Sequence, residues 1–183
     1  MDNLDTTVPS KQLDWNNILR QGAFAGLALT AFSIITYLLN VNLMAISGIA
    51  MLYTVMFAVS FTFAIMAIKY QRDKLEGGYI SYGKALLIAL VTVFIGVMIS
   101  SLWNYVLVNF IDPNVISVMK EEFIETWGQS MPPDALDKAL EGFDKAGDLF
   151  TTLKSALTGG LIYGLIVGLI SAAFLKRQPE VKG

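Results

Sequence analysis

From Gln21 to Ile68 the chain runs for 48 residues without one charged side chain. A single helix of that length would measure about 72 Å, against a bilayer hydrocarbon core of about 30 Å. Inside lipid, backbone amides must find partners within their own segment, so such a run has to be helical and has to fold back. Asn40-Val41-Asn42 is the one polar interruption near its middle. The run therefore predicts span one over about Gly22 to Leu39 and span two over about Leu43 to Ile68, joined by a tight turn. Ala85 to Ile111 is a second charge-free run, and Ser155 to Leu175 is a third. Only 15% of the chain is charged, where a soluble domain carries about a quarter. The fold class is all-α: a membrane protein with four transmembrane helices.

The third run has a pattern of its own. Ala156, Gly160, Gly164, Gly168 and Ala172 recur at every fourth position. That spacing lines one helix face with small residues, against which another backbone can lie closely. Span one carries Gly22, Gly26 and Thr30 at the same spacing. These glycines are read as helix-packing positions. The last span is expected to be the one around which the others are arranged, with span one as its partner. Span three, about Ala85 to Val108, has a weakly polar stripe of Thr92, Gly96, Ser100 and Asn104. The stripe is read as interhelical hydrogen bonding, with a pore or substrate path as the competing reading.

Between spans two and three lies the loop KYQRDKLEGGYISYGK, residues 69–84. Gly77-Gly78 predicts a turn, and Ser81 a cap for the third span. Tyr70, Tyr79 and Tyr82 suit the headgroup region. Residues 109–154 form the largest extramembrane segment. Asp112-Pro113 reads as an N-cap and first helical residue. Val115, Met119, Phe123 and Trp127 recur by fours, which predicts an amphipathic helix over 114–127. Pro132-Pro133 opens a second helix, with Leu136, Ala139, Leu140 and Phe143 on one side, running on toward the last span. Together these make an extracytoplasmic amphipathic helical hairpin between spans three and four. Asp134, Asp137, Glu141, Asp144 and Asp148 form an acidic stripe. Lys138 and Lys145, each four residues after an acid, make it a solvated face rather than a cation site.

At the N-terminus, residues 1–9 read as disordered. Ser10 to Arg20 reads as a short interfacial helix capped by Ser10, with Leu13, Trp15 and Ile18 toward lipid, or as a frayed tail with one anchoring Trp. No cleavable signal peptide is expected, so the first span stays attached.

Orientation follows from Lys and Arg. Lys11, Arg20, Lys69, Arg72, Lys74, Lys84, Lys176, Arg177 and Lys182 flank the spans on one side. The long 109–154 segment holds four lysines and nine acids. The positive-inside rule then gives a chain organised as follows. Residues 1–20 are a cytoplasmic segment, 21–68 the first two spans with their turn at 40–42, and 69–84 a cytoplasmic loop. Residues 85–108 are the third span, 109–154 the extracytoplasmic loop, 155–175 the fourth span, and 176–183 a cytoplasmic tail. The expected location is the cytoplasmic (inner) membrane, with multiple passes and both termini cytoplasmic.

The chain has no Cys and no His. Thiol and imidazole nucleophiles, bases and metal ligands are therefore absent. No catalytic residue, cofactor or metal is expected, and the chain is not expected to be an enzyme. A net charge of -2 argues against nucleic acid as a partner. The spans hold no ionisable group of the kind that proton-coupled transporters use.

The loop order is familiar. Tyr70-Gln-Arg-Asp-Lys-Leu-Glu-Gly-Gly-Tyr-Ile-Ser-Tyr-Gly-Lys-Ala, then Asn109-Phe-Ile-Asp-Pro113, then a Gly-rich last span ending in Lys-Arg, resembles the bacterial domain-of-unknown-function 4199 family. The resemblance covers nearly the whole chain and implies a small four-span protein. It implies no activity, since none of these pieces is a catalytic motif. Two functional readings stand. The first is a non-catalytic accessory, assembly or scaffold subunit. Its partners would be membrane lipid and another membrane protein, or itself as a homo-oligomer. A cytoplasmic docking site is read at Arg72, Gly77, Gly78, Tyr79, Ser81 and Tyr82, against the plainer reading of a turn, a cap and anchors. The second is a small oligomeric channel or transporter.

Overall fold

The computed structural model describes residues 12–177. It contains six α-helices: α1 Trp15–Leu38, α2 Ile46–Tyr70, α3 Tyr82–Val106, α4 Val115–Trp127, α5 Pro133–Asp144 and α6 Leu149–Leu175. α2 and α3 each run into a wider π-helical turn, Gln71–Leu75 and Leu107–Ile111. α1, α2, α3 and α6 are long and apolar enough to cross a membrane. The protein is a multi-pass, all-helical membrane protein.

Local chemistry sets the helix ends. The Asp14 carboxylate accepts from the Asn17 amide at 3.0 Å, starting α1. The Ser81 hydroxyl accepts from the Lys84 amide at 3.4 Å, starting α3. The Asp148 carboxylate accepts from the Thr151 amide at 2.7 Å, starting α6. Each cap satisfies one of the orphan amides of a first turn. The reversal between α1 and α2 is built on asparagines. Asn40 takes φ +48°, a left-handed conformation that Asn tolerates. The Asn42 side chain then accepts from the amides of Met44 and Ala45, at 2.9 and 2.8 Å.

α3 is the central helix. α1 lies along one side of it, α6 along another, and α2 touches all three. This corrects the expectation that the last span is the hub and that span one is its partner. Both small-residue stripes face α3. Small residues show that a helix is built for close approach. They do not say which helix approaches.

The core is uneven along the length of the bundle. Ile18, Ala64, Ala67, Ile68, Ala85, Ile88, Ala89, Val93, Val167, Ala172 and Leu175 form one buried cluster. These are the first turns of α1 and α3 and the last turns of α2 and α6. That is the end of the bundle where the described residues begin and end, here called the termini end. The other end carries α4 and α5, whose residues are half-buried or exposed. Phe123 and Phe143 meet there at 5.5 Å between ring centroids, and Lys120 pairs with Asp144.

Several boundaries differ from the sequence reading. Residues 12–20 do not form a separate interfacial helix: α1 starts at Trp15 and runs straight into the span. Ile18 is 1% exposed and belongs to the core, not to the lipid face. Residues 1–11, including Ser10, lie outside the described residues, as do 178–183. α4 begins after Asn114, while Asp112 accepts from the Asn114 amide at 3.0 Å in the turn before it. α5 does not run into the last span. It ends at Asp144, and α6 starts afresh under the Asp148 cap.

Candidate functional site

Two polar regions stand out, one at each end of the bundle. At the termini end, the π-helical turn Gln71–Leu75 acts as a clasp. The Asp14 amide donates to Gln71 Oε1 at 3.0 Å. Gln71 Nε2 donates to the Gln12 carbonyl at 3.2 Å and to Glu76 Oε1 at 2.8 Å. Glu76 pairs in turn with Lys84 at 2.5 Å. One side chain thus joins the start of α1 to the entry of α3. Arg72 does the same for α6. It is 6% exposed and donates to the Leu175 carbonyl at 3.3 Å, while its other nitrogens hold Asp73. The last carbonyls of a helix lack intrahelical partners, and a buried cation suits the negative end of its dipole. Ile80 and Arg177 exchange two backbone hydrogen bonds, at 2.9 and 3.1 Å. Lys176 stands 6.0 Å from the Tyr82 ring centre.

The six residues read as a docking site divide here. Arg72 is buried in the clasp. Gly77 and Gly78 have φ of +65° and +93°, so both take turn conformations that favour glycine. Ser81 caps α3, and Tyr82 is half-buried beside Lys176. Tyr79 is 48% exposed. Gln71 was missed by the sequence reading. Its signal was only its place between a span and a basic loop, which does not separate a buried Gln from a solvated one.

The packing glycines sit as follows. A Cβ at Gly22 would lie 2.8 Å from Ile95 Cβ and 3.0 Å from the Thr92 carbonyl oxygen. One at Gly26 would lie 2.6 Å from Ile99 Cβ and 3.1 Å from the Gly96 carbonyl oxygen. On α6, a Cβ at Gly160 would touch Val97 at 3.3 Å, one at Gly164 the Leu90 carbonyl oxygen at 3.1 Å, and one at Gly168 Leu86 Cδ1 at 2.9 Å. Ala156 and Ala172, at the ends of that stripe, are buried.

The polar stripe of α3 splits in two. Thr92 and Gly96 are buried beneath the α1 glycines. Ser100 and Asn104 lie beyond that contact and line a cavity of about 340 Å³ between α1, α2, α3 and α4. Ser33 Oγ donates across it to Asn104 Oδ1 at 3.3 Å. Phe32, Leu43, Leu52, Met56 and Met119 form its apolar wall. A neighbouring chamber of about 220 Å³ adds Tyr37, Asn40, Asp112 and Glu122. Asp112 accepts from the Tyr37 hydroxyl at 3.1 Å. Burial, and then repulsion from Glu125, raises the pKa of Glu122 above the ordinary carboxylate value. Trp127 Nε1 donates to the Met44 carbonyl at 3.0 Å, tying α4 to the α1–α2 turn beside the cavity.

No group of three or more metal-ligating side chains occurs among the described residues. A family model described as a protein of unknown function, DUF4199, matches residues 20–177. The chain belongs to this family. The match takes in α1 from Arg20 onward and all of α2 to α6. No curated protein and no solved structure gives a significant match.

Proposed function

We propose that the protein is a non-catalytic accessory, assembly or scaffold subunit of the cytoplasmic membrane. Both termini and the 69–84 loop lie on the cytoplasmic side, and α4 and α5 lie outside. The orientation rests on the basic residues that flank the spans. The observation that carries the functional reading is where the polar chemistry goes. At the termini end, Asn17, Gln71, Arg72 and Glu76 bind the chain's own helix ends. Of the six docking residues, that leaves Gly77, Tyr79 and Ser81 exposed, the surface on which a partner would dock. Native mass, measured after purification from the host in mild detergent, tests this. A stoichiometric second protein or a defined homo-oligomer is expected. A lone 20.0 kDa chain under every mild condition would overturn it.

A second reading, a small channel or transporter, is favoured by Ser33, Ser100, Ser101 and Asn104 along one cavity. The packed cluster of Ile18, Ala64, Ile68, Ile88 and Val93 at the other end argues against a path through one chain. Under this reading Asn104→Leu abolishes a solute flux in liposomes while the fold survives. A wild-type chain that moves no solute tested counts against it.

A further inference from the structure

The cavity at the α4–α5 end has a gradient of chemistry. Its larger chamber is walled mainly by apolar side chains between α1, α2 and α3. Its smaller chamber is bounded by the carboxylates of Asp112 and Glu122. The two share Ser33, Thr36, Leu43, Asn104 and Met119, which makes them parts of one cleft. Together they reach the volume of a small-molecule site, about 300–1,000 Å³. Among the described residues no Lys or Arg lines either chamber. Lys120, the nearest base in sequence, is paired with Asp144. Asp112 takes one hydrogen bond on each oxygen, from Tyr37 and from the Asn114 amide. Each oxygen keeps a second lone pair.

We propose that this cleft binds a single-chain amphiphile with a phosphate-free ammonium head. The head sits between Asp112 and Glu122, and the chain lies along Phe32, Met56 and Val97. Two carboxylates without a counter-cation attract an ammonium and repel a phosphate. An ammonium also donates several hydrogen bonds, which the free lone pairs accept. The apolar chamber removes the alkyl chain from water, which supplies the non-specific part of the affinity. This inference does not depend on the accessory-subunit reading, because a lone chain has the same cleft.

The test uses the full-length protein in phosphatidylcholine nanodiscs, with empty discs as the background for partitioning. The probe is radiolabelled dodecylammonium. One saturable site per chain is expected above background. Glu122→Gln should weaken it about tenfold or more, since it removes a charge-assisted contact. Glu125→Gln, on the exposed side of α4, should not weaken it, since it only relieves repulsion on Glu122. Asp112→Asn should weaken binding similarly, with its melting temperature measured alongside because Asp112 also holds Tyr37. Three results would overturn the proposal: no saturable binding, equal binding by the Glu122 and Glu125 variants, or equal competition by dodecanol. Displacement of the probe when phosphatidylethanolamine replaces phosphatidylcholine would move the occupant to a phospholipid and overturn the phosphate-free assignment.

Discussion

Gly48 sits in the first turn of α2, and a Cβ there would overlap the carbonyl oxygen of Asn42. The Asn42 side chain is already engaged with Met44 and Ala45, so the turn cannot yield without losing those bonds. Gly48→Ala should lower the thermal midpoint, by an overpacking cost of about 1–3 kcal/mol. An unchanged midpoint would mean that the turn is softer than its hydrogen bonds imply. Two glycines of α6 with different surroundings allow a sharper comparison. A Cβ on Gly164 meets the Leu90 carbonyl, while nothing lies within 4 Å of one on Gly159. Gly164→Leu should therefore disrupt folding or assembly, while Gly159→Leu should leave yield and native mass intact. Equal behaviour of the two variants would remove the packing role from the stripe. The repeat of small residues marked Gly164 in the sequence. Nothing there marked Gly48, because its constraint is a carbonyl brought close by a turn.

At the scale of elements, the clasp at Gln71–Leu75 ties four helix ends through short polar contacts. Arg72→Met removes a cation that is buried against the end of α6. It should destabilise the protein by about 1–3 kcal/mol, the cost of an unpaired buried acceptor. It should also loosen the strand-like pairing of Ile80 with Arg177. Trypsin cleavage at Lys176 and Arg177 should then be faster than in wild type, and an unchanged rate would sink the clasp. The start of α6 has its own switch. Hydrogen bonds from Thr151, backbone first, hold the pKa of Asp148 below its ordinary value. The cap's contribution is thus fully present above the unfolded pKa, and it is lost as pH falls through the lower folded value. Asp148→Ala should flatten that part of an acid melting series while leaving the neutral-to-alkaline part parallel to wild type.

For the whole molecule, the telling contrast is between its two ends. The termini end is a packed core, and the α4–α5 end holds a cleft with carboxylates at its edge. The orientation of that contrast in the membrane is open to a clean experiment, because the chain has no native cysteine. A single Cys at Ser130 should react with an impermeant maleimide added to intact cells. One at Lys74 should react only after lysis. The reverse pattern would invert the topology proposed from the basic residues.

The sequence by itself determined the number of long helices, the reversal at Asn40-Val41-Asn42 and which small residues share a helix face. These follow from local rules: apolar length against bilayer thickness, and the four-residue recurrence of one helix face. Even the caps at Ser81 and Asp148 obey local chemistry, although only Ser81 was read as one. The tertiary structure alone decided which faces meet. Gly22, Gly26, Gly160, Gly164 and Gly168 all turned out to face α3, and that choice depends on three-dimensional fit along the whole helix. It also decided that the Thr92–Asn104 stripe is half packing surface and half cavity wall. Their four-residue spacing puts all four positions on one helix face and does not divide them. Burial, which only the assembled bundle sets, separates the enclosed Thr92 from the cavity-lining Asn104.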